Sequence, residues 1–231
     1  MSSEELLKAR EIAIKKALDF IRDDMVIGYG TGTTMAQAIR YIKEKIDRED
    51  LEILFVPTSF QSRQLLLENN LKIVSLYEYP ELDLTIDSFD QCDLSGNVIK
   101  GGGGAMLIEK VVAQASRKVV FVGDYTKLVE ILNRPVPIEI LIEAYPHVYR
   151  KISQMKFKLE LRQSTGKIGP VISENGNLIG DVEIGLIHNP EEIDRKLRSI
   201  AGVIETGIFP KLADKIIIGK PDGSLKEIDV R

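Results

Sequence analysis

From Met25 to Val122 the chain repeats one pattern: a short apolar run, a turn of small or hydroxyl residues, then apolar residues at helical spacing. Met25 to Tyr29 meets Gly30-Thr-Gly-Thr-Thr, after which Met35 to Ile46 reads as a helix. Leu51 to Val56, Pro57-Thr-Ser and Phe60 to Asn69 repeat the unit. Strands are expected again at Lys72 to Leu76, Asp83 to Ile86 and Lys118 to Val122, with a helix over Ala105 to Ser116 and an amphipathic one over Ser3 to Ile21. Strands separated by helices cannot pair as hairpins. The expectation is therefore a doubly wound α/β domain, a mostly parallel sheet with helices on both faces.

After about Leu132 the style changes. Val136 to Ile142 reads as a strand, Pro146 to Met155 as a helix and Phe157 to Arg162 as an alternating strand. Val171 to Ser173 and Leu178 to Val182 flank Glu174-Asn-Gly-Asn, a hairpin signal because Asn-Gly accepts positive φ. A helix over Glu191 to Ser199 and a strand over Gly202 to Thr206 complete β-α-β-β-α-β, a smaller ferredoxin-like α+β unit with an antiparallel sheet. Strands at Lys215 to Gly219 and Leu225 to Val230 return to the first unit. The expected division is residues 1–132 with 207–231 for the α/β domain and 133–206 for the inserted one.

Composition narrows the function classes. With 44% hydrophobic and 29% charged residues in 231, a sizeable core and a wet surface are both available. The net charge of −4, with both signs interspersed, argues against nucleic acid as the main partner. No run approaches the ~18 apolar residues of a membrane span, and the start MSSEELLKAR lacks an apolar signal core. One cysteine, Cys92, excludes an intrachain disulfide and reads as a structural residue. A cytoplasmic location is expected.

Chemistry concentrates between Leu84 and Gln114. Asp87 and Asp90 lie three apart after a strand, in the place where open parallel sheets gather ligands, and read as loop caps, an acid–base pair or, less readily, a metal site. His147 and His188 are far off in sequence, and Lys100 would bring competing positive charge to any metal there. Lys100 precedes four consecutive glycines, Gly101 to Gly104, so its ammonium and bare backbone N–H groups suit a developing oxyanion. Glu109 follows in the next helix. Alone it reads as a solvated face, although the helix's positive end favours its ionised form. The turn carrying Thr31, Gly32, Thr33 and Thr34 opens a helix, as an anion site or an ordinary tight turn; it matches neither a dinucleotide fingerprint nor a Walker loop. Thr58 and Ser59 sit at the equivalent edge, and Lys127, in Gly-Asp-Tyr-Thr-Lys, is by default a surface lysine.

Together GYGTGTT, VPTS, DLTIDSFDQCD, NVIKGGGGAMLIEK, GDYTKLV, PVPIEI, GPVISENGNLIGDV and GVIETGIF resemble the ribose-5-phosphate isomerase type A family, over about residues 8 to 219. The resemblance implies a doubly wound α/β domain with a small α+β domain. It also implies aldose–ketose isomerisation of ribose 5-phosphate and ribulose 5-phosphate through a cis-enediol(ate), in the non-oxidative pentose phosphate pathway, with no cofactor or metal. It makes Glu109 the base between C2 and C1 and Asp87 an aid to ring opening, with Asp90 beside it. Lys100 with the N–H groups of Gly101, Gly102 and Gly103 then stabilises the enediolate. Thr31, Gly32, Thr33, Thr34 and Lys127 hold the phosphate, and Ser88 and Phe89 join the substrate-binding set.

The chain departs from the family's usual Asp-Gly-Ala-Asp-Glu at Ser88, Phe89 and Gln91, and carries Ile108 where a basic residue is common. Two other readings compete: a non-catalytic sugar-phosphate sensor, and a neighbouring reaction such as an amino-sugar phosphate isomerase or a lactonase. The small unit offers an assembly surface, so a homodimer or homotetramer is expected.

Overall fold

The computed structural model describes residues 3–166 and 168–231; Met1, Ser2 and Lys167 lie outside them. In chain order the elements are α1 (Ser3–Ala17), β1 (Val26–Tyr29), α2 (Thr33–Glu49), β2 (Leu54–Pro57), α3 (Phe60–Glu68), β3 (Lys72–Ile73), β4 (Leu84–Ser88), β5 (Gln91–Cys92) and β6 (Val98–Ile99). There follow α4 (Met106–Gln114), β7 (Val119–Asp124), β8 (Val136–Ile140), α5 (Tyr145–Gln154), β9 (Lys158–Leu161) and β10 (Leu178–Glu183). α6 (Pro190–Arg198), β11 (Val203–Thr206), β12 (Ile208–Phe209), β13 (Lys215–Gly219) and β14 (Leu225–Asp229) close the chain.

Seven strands form the main sheet in the order β14-β13-β7-β4-β1-β2-β3, parallel except for the β13–β14 edge pair. The six residues of β7 and all five of β4 are buried, as expected of strands covered on both faces. Small residues let α1 lie close on this sheet: a Cβ on Gly219 would stand 1.9 Å from the Ala9 carbonyl oxygen. From β1 the chain runs outward through β2 and β3, then returns to β1's other side with β4. This reversal opens a crevice at the carboxyl ends of β1 and β4, where ligands settle in such sheets.

The second sheet, β11-β8-β10-β9, is antiparallel and has the expected β-α-β-β-α-β order with the first and third strands central. Ile138, Ile140, Val148, Ile152 and Leu197 build its core. Three expectations change. Asp87 and Ser88 belong to β4 itself, because the ladder to β7 runs on through Ser88↔Val122. The third strand stops at Ile73 instead of Leu76. Val171 to Ser173 forms only a bridge, Ile172↔Leu178, and the turn places positive φ on Gly176 alone, at 80°.

A third sheet, β12-β6-β5, has no counterpart in the expected elements. Its strands are two residues each, too short to show periodicity. It nevertheless carries Lys100 away from β6, with Lys100 N donating to the Gly207 carbonyl at 2.8 Å. No helix among the described residues is long and apolar enough to cross a membrane.

Candidate active site

At the carboxyl end of β4, Asp87 is buried with 1% of its surface exposed. Its Oδ1 accepts the backbone N–H of Ser88 at 2.6 Å and of Thr31 at 3.1 Å. Only glycine fits opposite: a Cβ on Gly30 would lie 2.0 Å from that oxygen. Asp87 Oδ2 faces Lys100 Nζ at 3.0 Å, and Glu109 Oε1 lies 3.2 Å from the same nitrogen. Lys100 Nζ also donates to the Ser88 carbonyl oxygen. Lys100 and Glu109 are 2% and 4% exposed, so three charged groups from β4, α4 and the end of β6 meet almost without water.

Burial penalises charge, and here two carboxyls compete for one ammonium. Burial pushes the Glu109 pKa up to about 8; Lys100 opposes the rise, and the negative charge of Asp87 adds to it. Burial also raises Asp87, against the pull of Lys100 and the two backbone N–H groups. For Lys100 burial acts downward, but Asp87 and Glu109 together hold its pKa above the ordinary lysine value. Each carboxylate leaves one oxygen without a hydrogen-bond partner, Glu109 Oε2 and Asp87 Oδ2, but Asp87 Oδ1 also accepts two backbone N–H groups, which favour its ionised form. With its pKa pushed up to about 8, Glu109 carries a proton near neutrality. Deprotonated, Glu109 is a stronger base than a solvated carboxylate.

A cavity of about 70 Å³ opens beside this cluster, lined by Thr31, Gly32, Thr33, Ser88, Phe89, Asp90, Lys100, Gly101, Gly102, Gly103, Glu109 and Lys127. Those are the residues that the family resemblance assigns to the site, less Asp87 and Thr34. Asp87 is not among the lining residues, but it pairs with Lys100, which is. The Thr34 side chain is wholly buried. Around the same glycines run two wider clefts of about 430 Å³ and about 330 Å³.

The glycine loop is tightly held. Gly101 and Gly104 take φ of 102° and 79°, and Gly104 N donates to the Gly101 carbonyl at 2.9 Å. Asp90 Oδ2 accepts from Gly102 N at 2.7 Å, so that N–H, expected to face the enediolate, already has an acceptor. Arg162, on the small unit, donates from Nη1 to the carbonyls of Gly101 (2.9 Å) and Gly102 (3.0 Å), while Asp181 fixes its other face. Sequence reasoning missed Arg162. Nothing local marks an arginine at the end of Lys-Leu-Glu-Leu as a partner of glycines 60 positions away.

Across the cavity, α2 begins at Thr33, and its N-cap Gly32 has no side chain to bond the helix's first N–H groups. Uncapped N–H groups at the positive end of a 17-residue helix suit a phosphate. The Thr31 hydroxyl sits within a hydroxyl cluster, 2.8 Å from Thr58 Oγ1 and 2.6 Å from Ser59 Oγ, and Gln61 Oε1 accepts from Gly32 N at 2.9 Å. Lys127 Nζ donates to the Phe89 carbonyl and lies 5.5 Å from that ring's centroid. Burial lowers its pKa, Asp124 and Asp90 opposing. Phe89 fills the space above Gly123, whose Cβ would meet the ring at 2.6 Å. Gln91 replaces a charge with an amide that accepts from Asn133 N (2.8 Å) and Arg134 N (3.1 Å) and donates to Asn133 Oδ1 (2.8 Å). Ile108 packs, partly buried, against the cluster of Val26, Val56, Leu82 and Val112. Among the described residues no group of three or more His, Cys, Asp or Glu is arranged to hold a metal ion.

The sequence pattern of the family Ribose 5-phosphate isomerase A (phosphoriboisomerase A) matches residues 54–223. A ribose-5-phosphate isomerase A of Archaeoglobus fulgidus is 47% identical over 210 residues, 90% of this chain and 93% of its own. One of Pyrococcus horikoshii is 40% identical across 98% of this chain and 99% of its own. A D-ribose-5-phosphate isomerase solved in complex with phospho-erythronic acid superposes with a TM-score of 0.93 at 39% identity, covering 99% of this chain and 100% of the other. A family match over more than half the chain, joined to identities of this size over nearly its full length, leaves one assignment: the chain belongs to the ribose 5-phosphate isomerase A family.

Proposed function

We propose that the Asp87–Lys100–Glu109 cluster carries out the family's aldose–ketose isomerisation of ribose 5-phosphate and ribulose 5-phosphate by proton transfer through a cis-enediolate. One observation carries the reading: a carboxylate of raised pKa and a charged lysine, 3.2 Å apart, share one buried cavity wall. Proton abstraction next to a carbonyl needs both, a base for the C–H and a cation for the oxygen that becomes negative.

In this mechanism Glu109 takes the proton from C2 of the open-chain aldose, exchanges it in part with solvent and delivers a proton to C1, while the C2 hydroxyl proton passes to the C1 oxygen. Lys100 faces the enediolate oxygens together with the glycine loop. Asp87 keeps Lys100 charged and aimed, and Asp90, on the cavity wall, serves the sugar hydroxyls and anchors the loop. The start of α2 from Thr31 to Thr34, with Lys127, binds the phosphate, whose remote binding energy orients the reacting carbons. The relative solved with phospho-erythronic acid supports a site for a phosphorylated polyhydroxy acid. A planar carboxylate on such an acid would face Lys100 as the enediolate does.

The direct test is conversion of ribose 5-phosphate by the wild type and by Glu109→Gln, in chelator. Rapid turnover by the variant would remove Glu109 as the base. For the assembly, the proposal is a homodimer or homotetramer in the cytoplasm. Leu141, Ile142 and Tyr149 support self-association, each being 44% or more exposed on the small unit. A monomer in sedimentation would contradict it.

A further inference from the structure

We propose that Lys110 is a positioning residue that sets the separation of Glu109 and Lys100 by tying α4 to β12; this rests on reading those two as the base and the oxyanion-binding cation. Lys110 follows Glu109 in α4 but points away from the cavity, and it is 3% exposed. Its Nζ donates to Glu205 Oε1 at 2.8 Å and to the Ile208 carbonyl at 2.8 Å, and lies 3.4 Å from Asp194 Oδ1. It is not among the residues lining the cavity beside Glu109.

The Ile208 contact closes a short mechanical circuit. Ile208 pairs with Ile99 in the antiparallel ladder of β12 and β6. Lys100, the next residue, donates its N–H to Gly207 at 2.8 Å. That approach is so close that a Cβ on Gly207 would lie 2.2 Å from the Lys100 carbonyl oxygen. The base is thus linked to the cation through Lys110, Ile208 and Ile99, all by direct contacts. The Phe209 ring fills the interior of the circuit, with Lys110 Nζ 4.8 Å and Lys100 Nζ 5.9 Å from its centroid.

The carboxylates that hold Lys110 are themselves held. Arg198 approaches Glu205 Oε1 at 3.4 Å and Asp194 Oδ2 at 3.6 Å, and the Thr206 hydroxyl donates to Asp194. A buried ion cluster is a poor way to gain stability compared with apolar packing, but it permits one arrangement only. That property matters here, since a displacement of about 1 Å at a reacting group can reduce a rate by roughly 100-fold.

The test compares wild type, Lys110→Met, Glu205→Gln and Glu109→Gln in steady-state conversion of ribose 5-phosphate across pH, with folding followed by circular dichroism. Lys110→Met should lower kcat by roughly 10- to 100-fold. KM should stay within about twofold, because the phosphate end of the cavity lies on α2 and the turn after β7, neither of which Lys110 touches. The acid limb of the profile should move upward, because a Lys100 held less closely opposes the rise of Glu109 less; Asp87 and Asp90, the other charges facing Glu109, stay in place. Glu205→Gln keeps the lysine and loosens its hold, so it should show a smaller loss with the limb displaced the same way. This second variant decides the matter if Lys110→Met does not fold. A folded Lys110→Met with parental kcat and limb, a KM that rises as far as kcat falls, or a parental Glu205→Gln beside an unfolded Lys110→Met would each overturn the proposal. Full activity in Glu109→Gln would instead overturn the reading on which it rests.

Discussion

Lys100 Nζ stands 3.2 Å from Glu109 Oε1, although one residue leaves a two-residue strand and the other sits in the helix beyond four glycines. Asp87 Oδ2 approaches the same nitrogen at 3.0 Å. This spacing couples the three groups strongly enough that loss of any one should change the protonation of the others.

Glu109 should impose an acid limb on kcat/KM. With its pKa pushed up to about 8 by burial, the unprotonated base is the minor form at neutral pH. Activity should therefore rise with pH toward a midpoint near 8 in free enzyme. Initial rates from pH 6 to 9.5 check this, and a limb near the ordinary glutamate value would contradict the burial argument. Glu109→Gln should reduce kcat by roughly 10²- to 10⁴-fold.

The same shift makes a stability prediction of definite sign. A carboxyl whose folded pKa lies above its unfolded value binds more protons when folded, so its contribution is favourable at low pH and is lost as pH rises from 4.5 through about 8. Glu109→Gln, which cannot ionise, should escape this loss. Its stability at pH 9 should exceed that of the wild type by on the order of a few kcal/mol, with the difference vanishing near pH 4. Paired thermal melts across pH measure it.

Gly30→Ala should damage both fold and activity. The added Cβ would lie 2.6 Å from the Asp87 Cα, a backbone atom that cannot swing aside. Overpacking of this kind destabilises by about 1–3 kcal/mol. It should also lower kcat by displacing Asp87 from Lys100. Urea titration with a parallel activity assay checks both, and parental values in each would show that β1 and β4 can separate freely.

Lys127→Met should raise KM for ribose 5-phosphate by roughly 10- to 100-fold, the loss of one charge-assisted phosphate contact. Phospho-erythronic acid should inhibit the wild type competitively and lose affinity in parallel. If KM and inhibition are unchanged, the phosphate lies elsewhere.

The parallel sheet was legible because each of its buried strands carries enough apolar residues, as in Val119–Asp124, to stand out from the helices beside it. The ferredoxin-like order was legible for the same reason. The β12-β6-β5 sheet was not, since pairs such as Ile208↔Ile99 hold two-residue strands together through contacts over 100 positions away. The glycine loop, Asp90, Lys100 and the start of α2 could be singled out by composition and placement. Glu109 could not: Met-Leu-Ile-Glu-Lys reads locally as a solvated face, yet both Glu109 and Lys110 are buried, each against a different partner, Lys100 and Glu205. Arg162 was invisible because its role depends on the register of a sheet in the other unit.

The central claim, proton transfer by Glu109 at one face of a sugar phosphate, is tested most directly by isomerising ribose 5-phosphate in deuterium oxide and following C2–H and C1–H by NMR. Deuterium should enter product at C1 and recovered substrate at C2 at rates tied to turnover, and Glu109→Gln should suppress both together. Isomerisation with no solvent deuterium in either compound, or washout that persists in the variant, would contradict it.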